Sequence, residues 1–182
     1  MPPVPRPWTT RLLCAALLAA PLASVAAVPG LAALGALPQR WRDDDGRVLA
    51  LADLTGQRVI LTMAYASCHR LCPGTIAALQ AMQHRLDERG ERAAIVVVGY
   101  DPASDDPATW RQYRVARRLD RANWHFVTGS PDDTRRLALA LGFEFWNYDE
   151  HVMHGSRVLI FDAAGAPQVA LGPETSDWAA AL

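Results

Sequence analysis

The chain has 182 residues, of which 51% are hydrophobic and 20% are charged, and its formal net charge at pH 7 is −1. This length and composition suit one packed domain, and the near-neutral charge argues against a nucleic-acid-binding protein. The one Arg-rich segment, residues 111–121, interleaves basic with apolar residues in a helical pattern, as the exposed face of a helix does. We therefore expect no nucleic-acid partner.

The N-terminal segment has the features of an export signal. Arg6 and Arg11 precede an uncharged run over residues 12–38, in which small side chains cluster near Ala26. This run is also long enough to span a bilayer as an uncleaved anchor. We predict that residues 1–38 are a signal peptide or an inner-membrane anchor with a linker, and that residues 39–182 form a domain in the periplasm.

The next segment predicts a small hairpin followed by a buried strand. Asp45-Gly46 is a hairpin-turn signal within residues 39–57. Residues 58–65 form a run of β-branched and apolar side chains of strand length. We expect this run to lie inside a sheet.

A helix and a second buried strand come next. Pro73 suits the first turn of a helix, whose apolar residues recur at helical spacing until Gly90. Residues 93–100 are continuously apolar, as in a central strand covered on both faces. Strand, helix and strand together predict a parallel βαβ unit.

The rest of the chain continues the α/β alternation and ends in an antiparallel hairpin. The predicted elements are a helix from Asp106-Pro107, a strand at 124–127, a helix from residue 130 to Gly142, and hairpin strands at 157–161 and 168–171. This order predicts an α/β, thioredoxin-like fold with a central mixed sheet, flanking helices and a C-terminal antiparallel hairpin.

Cys68 and Cys72 stand between the first buried strand and its helix. Open α/β sheets bind ligands beyond the carboxyl ends of their parallel strands. In the first helical turn, backbone N–H groups and the helix dipole would stabilise a thiolate at Cys72. The spacing also suits a local disulfide or two buried apolar thiols, so spacing alone leaves the role of the pair open. Cys14 lies in the apolar N-terminal run, and we assign it no chemical role.

A third donor is sought among the five histidines. His154 directly precedes the strand at residue 157, in the connection that a thioredoxin-like sheet brings beside the cysteine loop. His69 or His151 could supply the imidazole instead, and His84 is predicted to lie on an exposed helix face. Two thiolates and an imidazole form a soft ligand set that suits copper and that zinc could also occupy.

Over residues 39–172 the sequence resembles the SCO/SenC family of copper-delivery proteins. The resemblance rests on C-x-x-x-C-P at residues 68–73 after an apolar strand, on G-Y-D-P at residues 99–102 with Asp105 and Pro107, and on His154 before Gly165. The resemblance implies that Cys68, Cys72 and His154 bind copper as Cu(I) and Cu(II).

It also implies a thioredoxin-like periplasmic or membrane-tethered protein that helps assemble the CuA centre of cytochrome c oxidase. Its partners would be the oxidase subunit that carries CuA and other periplasmic copper carriers. Two residues depart from the family loop: His69 stands where Pro is usual, and Arg70 stands where Asp is usual. Arg70 would favour thiolates and could change which partner docks.

Two other functional classes fit the same cysteines. A thiol-disulfide oxidoreductase would use one as the nucleophile and the other to resolve the mixed disulfide. The C-x-x-x-C spacing, and the His154-Gly155 stretch where thioredoxins carry a proline, weaken that interpretation. An interaction module with a structural disulfide would make His154 dispensable.

Overall fold

The computed structural model describes residues 28–35, 40–67, 72–148, 151–172, 175 and 177–182. The helices are α1 (Leu31–Gly35), α2 (Cys72–Arg89), α3 (Pro107–Arg117) and α4 (Pro131–Leu141), with short 3-10 helices at Leu51–Leu54 and Trp178–Ala181. The strands are β1 (Trp41–Asp43), β2 (Val48–Leu49), β3 (Arg58–Ala64), β4 (Ala93–Gly99), β5 (Trp124–Thr128), β6 (Phe145–Tyr148), β7 (His151–His154), β8 (Val158–Phe161) and β9 (Pro167–Leu171).

The main sheet is mixed, with parallel strands at its centre. Its order is β2-β1-β5-β4-β3-β8-β9. Strands β5, β4 and β3 are parallel, whereas β1 and β2 on one side and β8 and β9 on the other pair antiparallel. This arrangement confirms the predicted thioredoxin-like fold, including its C-terminal hairpin.

Successive side chains of β3 and β4 point to opposite faces of the sheet and pack into two separate hydrophobic cores. Ile60 and Ile95 pack on one face of the sheet with the apolar residues of α2 and α3. Leu61 and Val96 pack on the other face with α1 and α4. Because β3 and β4 are covered on both faces, their sequences are rich in apolar and β-branched residues instead of alternating between polar and apolar ones.

The predicted helix boundaries follow from capping groups. The Asp106 and Ser130 side chains accept hydrogen bonds from backbone N–H groups in the first turns of α3 and α4, and a proline occupies the first position of each helix. Gly90 and Gly142 have positive φ angles, directly after α2 and α4. The sequence-based prediction of these helices is confirmed.

Helix α1 lies within the segment assigned to the signal or anchor with its linker, yet it packs on the domain. Its Leu31 and Leu34 are buried in the core shared with α4, and the Leu31 N–H donates to the Gly165 carbonyl at 2.9 Å. The packed structure therefore includes residues before 36. The predicted boundary between residues 38 and 39 falls within residues 36–39, which lie outside the described part of the chain.

We expect Leu31→Ala to destabilise the protein measurably. Leu31 is 0% exposed, and truncation of a buried leucine costs about 2–5 kcal/mol of unfolding free energy. Urea denaturation followed by circular dichroism measures the change. Leu139→Ala is the matched control, since Leu139 is 80% exposed and its truncation should change stability by less than about 0.5 kcal/mol. Equal midpoints for the two variants would contradict a structural role for α1.

Strands β6 and β7 form a separate two-stranded antiparallel sheet that the sequence analysis did not predict. Phe145 pairs with His154, and Trp146 pairs with Met153. The Gly155 N–H donates to the Glu144 carbonyl at 3.2 Å, which closes the base of this hairpin. His154 is therefore the last residue of a strand, where the sequence had placed it in a connection.

Candidate functional site

The cysteine motif lies between the end of β3 and the start of α2. Strand β3 ends at Ala64 and is followed by Tyr65, and α2 begins at Cys72. Cys68 and the side chain of Cys72 lie outside the described residues, so the pairing of their thiolates at one metal stays a prediction. Cys72 is the first residue of the 18-residue helix α2. At this end of a helix the free backbone N–H groups stabilise a thiolate most strongly.

His154 reaches the same edge of the main sheet from β7. Its residue is 8% exposed, and its Nδ1 lies 2.9 Å from the Gly155 carbonyl oxygen. A carbonyl oxygen only accepts, so this contact selects the tautomer with the proton on Nδ1 and the lone pair on Nε2. A metal-binding histidine commonly has its second ring nitrogen fixed in this way.

Two tyrosines flank the His154 ring. Tyr65 meets it edge-on with ring centroids 5.5 Å apart, and Tyr100 lies at 4.6 Å with an interplanar angle of 30°. These tyrosines directly follow β3 and β4. His154 thus lies at the carboxyl ends of the two central parallel strands, which is where ligands of open α/β sheets bind.

The contact with Tyr65 brings His154 near the start of the cysteine loop. Tyr65 precedes Cys68 by three residues in the sequence. Three residues span at most about 11 Å of backbone even when fully extended. Cys68 is therefore at most about 11 Å of backbone away from a residue whose ring contacts the imidazole.

Asp105 is a buried carboxyl beside the same loop. Its Oδ1 accepts from the Ala66 N–H at 2.8 Å, and its Oδ2 accepts from the Asp101 N–H at 3.0 Å. Burial raises its pKa from 3.8 to about 7, although these two hydrogen bonds act in the opposite direction. In the sequence, Asp105 stands out only as part of a family resemblance, which gives no sign of these contacts.

The other histidines differ in position. His84 is on the surface of α2, with a side chain 75% exposed and 3.3 Å from Glu88, as predicted. His125 lies near the start of β5, at the opposite edge of the sheet, and burial lowers its pKa. His69 lies outside the described residues. His151 begins β7, so its backbone is three strand residues from His154, or about 10 Å.

Within the described ranges, no cluster of three or more His, Cys, Asp and Glu side chains is arranged to hold a metal. The thiols of Cys68 and Cys72 lie outside those ranges. The donor types still fit copper, since two thiolates and a neutral imidazole are soft to intermediate ligands. No helix in the described part of the chain has the length and apolar character needed to cross a membrane.

Known structures share this fold. Yeast Sco1 with copper bound aligns with a TM-score of 0.68 at 20% identity, over 79% of this chain and 82% of that chain. BsSco, described with a disulfide switch and as a member of the Sco family of cytochrome c oxidase assembly proteins, aligns with a TM-score of 0.69 at 20% identity, over 78% and 85%. At these identities the likeness concerns the fold.

Sequence comparison identifies the family. A SCO1 protein homolog of Bacillus subtilis (strain 168) is 25% identical over 103 residues, which are 56% of this chain and 53% of that protein. The match thus spans about half the length of this curated relative. The sequence model of SCO1/SenC matches residues 38–181, a range that holds the parallel core, both cysteines and His154. The chain therefore belongs to the SCO1/SenC family.

Proposed function

We propose that this protein binds copper through Cys68, Cys72 and His154 and delivers it during assembly of cytochrome c oxidase. The contact between the rings of His154 and Tyr65, three residues before Cys68, is the observation that carries the proposal. Family membership and the copper-bound structure of yeast Sco1 agree with it. The oxidase subunit that carries CuA is the proposed recipient, and periplasmic copper carriers are the proposed donors.

The proposed site suits transfer better than storage. Three protein ligands leave coordination positions through which a partner's ligand can approach. A closed cage of four ligands would hold the metal more tightly. The hydrogen bond of Nδ1 to the Gly155 carbonyl leaves Nε2 as the ring nitrogen that can face the metal.

The proposed location is the periplasmic side of the inner membrane. Residues 1–38 are proposed to act as a signal peptide or a membrane anchor with its linker, as their two arginines and long uncharged run indicate. The domain, proposed at 39–182, would then meet copper carriers and the oxidase in the same compartment. Helix α1 would stay with the domain if cleavage follows Ala26.

We expect His154→Ala to weaken copper binding by about 100-fold, because even partners that only orient a ligand contribute 10–100-fold. The reduced full-length protein is titrated with copper while sulfur-to-copper charge-transfer absorption is followed. His84→Ala is the matched control, since that imidazole lies on the surface of α2. Unchanged affinity in His154→Ala would move the imidazole assignment to His69 or His151.

The same experiment separates copper delivery from thiol-disulfide exchange. The start of α2 at Cys72 favours a reactive thiolate, which an oxidoreductase would also use. A reduced wild-type protein that reduces disulfides but takes up no copper would be an oxidoreductase. Stoichiometric copper uptake that depends on both cysteines would establish the metal site.

A further inference from the structure

We propose that Asp105 is the positioning residue of the copper site, holding the backbone that leads into Cys68 against the end of β4. The inference rests on the proposed copper-binding function and adds a residue that binds no metal itself. It starts from the two hydrogen bonds of one carboxylate to two different strand ends. Ala66 follows β3 and Asp101 follows β4, and each donates its N–H to a different oxygen of Asp105.

The Ala66 hydrogen bond acts on both halves of the proposed site. Ala66 is two residues before Cys68, and it directly follows Tyr65, whose ring contacts His154. A shift of the Ala66 backbone would therefore move both the start of the cysteine loop and the Tyr65 ring that packs against the His154 imidazole. A fixed Ala66 would therefore hold the start of the cysteine loop in a constant position relative to the Tyr65 ring that contacts His154.

Asp105 is itself held at several points. Its backbone N–H donates to the Asp101 carbonyl at 2.7 Å. Its backbone carbonyl accepts from the Thr128 hydroxyl at the end of β5, and that hydroxyl accepts from the Trp110 indole N–H at 3.1 Å. Trp110 is fully buried in α3. The carboxylate is thus anchored to the rigid core, and only its oxygens reach the loop.

Gly99 leaves the space that this carboxylate needs. A Cβ atom at Gly99 would lie 2.9 Å from both the Cβ and the Oδ2 of Asp105. Real Cβ atoms do not approach other atoms that closely, so any larger residue at position 99 would displace the carboxylate. Glycine at the end of β4 therefore allows the Asp105 carboxylate to lie between the ends of β3 and β4 and bind both.

The chemistry of the position favours a role in the site over a role in general stability. Asp105 is 1% exposed, and burial of a carboxyl is costly unless its oxygens are hydrogen-bonded. Among the described residues, the charged groups that act on it are the carboxylates of Asp101 and Asp106, so its charge is balanced by backbone N–H groups and not by a cation. Its two oxygens accept hydrogen bonds from the Ala66 N–H, at the start of the cysteine loop, and from the Asp101 N–H, after the end of β4.

The test compares Asp105→Asn with Asp106→Asn in full-length protein that also carries Cys14→Ser. Asparagine keeps one acceptor but turns an NH2 donor toward the other backbone N–H, so one of the two hydrogen bonds is lost. We expect copper affinity to fall by about 10–100-fold, as for other groups that orient ligands. Asp106→Asn is the matched control, since the Asp106 side chain caps α3 by accepting a hydrogen bond from the Thr109 N–H at 2.7 Å.

Gly99→Ala is the second variant, because it keeps the carboxylate and changes only its position. We expect it to weaken copper binding in the same direction and to alter the charge-transfer spectrum as Asp105→Asn does. A second readout needs no copper: the pH profile of alkylation of Cys68 and Cys72 in the reduced protein, which the Cys14→Ser background makes specific. A displaced loop should shift that profile in both variants but not in Asp106→Asn.

The outcomes separate this inference from the proposed function. Wild-type copper affinity and wild-type alkylation profiles in both Asp105→Asn and Gly99→Ala would overturn the positioning role. A wild-type protein that takes up no copper would refute the proposed function, and the alkylation profiles would then decide on Asp105 by themselves. Thermal unfolding of each variant shows whether a loss of binding comes from a loss of the fold.

Discussion

Replacing Cys72 with serine is expected to abolish copper binding, with a loss of affinity well beyond the 10–100-fold that ligand-orienting groups contribute. A serine hydroxyl stays protonated at neutral pH, whereas a cysteine can supply the thiolate that binds soft metals. Cys68→Ser should have the same effect. Copper titration of the reduced protein, with the charge-transfer band as readout, measures both.

Cys14→Ser is the matched control for these variants. Cys14 lies in the apolar N-terminal run, and its replacement should leave affinity and stoichiometry unchanged. Oxidation of Cys68 and Cys72 to a disulfide should block uptake as fully as the substitutions, and reduction should restore it, because a disulfide offers no thiolate. Copper uptake by the oxidised protein would contradict the site as proposed.

The central fold could be predicted because its signals are local. Strand β4 is apolar throughout and β3 is apolar except for Arg58 and Thr62, and each ends one residue before the predicted boundary. Helix α4 has a serine cap, a proline at its first position and a glycine after its last. Such groups act within a few residues of the backbone they stabilise, so a sequence window contains the whole interaction.

The second sheet and α1 were missed because their stability comes from packing. Helix α1 has five residues, too few to be stable alone, and it exists where Leu31 and Leu34 meet the core. The β6–β7 hairpin carries aromatic residues and Val152 around Asp149-Glu150, a β-propensity signal without a glycine turn. A two-stranded sheet of this size depends on its contacts with the rest of the domain.

Asp105 shows what the residues around a motif cannot reveal. In the sequence it is one of three acidic residues among residues 101–106, and Asp106 has the more recognisable role as a helix cap. Its hydrogen bond to Ala66 joins residues 39 positions apart. The candidate ligands stood out by residue type and spacing, whereas the group that positions their loop is defined by tertiary contact alone.

Lowering the pH from 8 to 5 is expected to stabilise the wild-type fold relative to Asp105→Asn by about 3 kcal/mol, at 1.36 kcal/mol per pKa unit. Burial raises the pKa of Asp105 to about 7 in the folded protein, from 3.8 for an ordinary aspartate. Between these two values the folded state binds more protons than the unfolded state. Its stability therefore falls as the pH rises through this window, and the contribution is lost once the pH exceeds about 7.

The difference between wild type and Asp105→Asn isolates this carboxyl, because the other titrating groups are common to both proteins. Asp101 and Asp106 face Asp105, and their negative charges raise its pKa further. Urea unfolding of the metal-free protein at pH 5, 6, 7 and 8 measures the effect, with Asp106→Asn expected to retain a pH slope that Asp105→Asn lacks. Parallel pH profiles for wild type and Asp105→Asn would mean that the buried carboxylate stays ionised, held by the Ala66 and Asp101 N–H groups. In that case the same two hydrogen bonds that position the loop would outweigh the cost of burial.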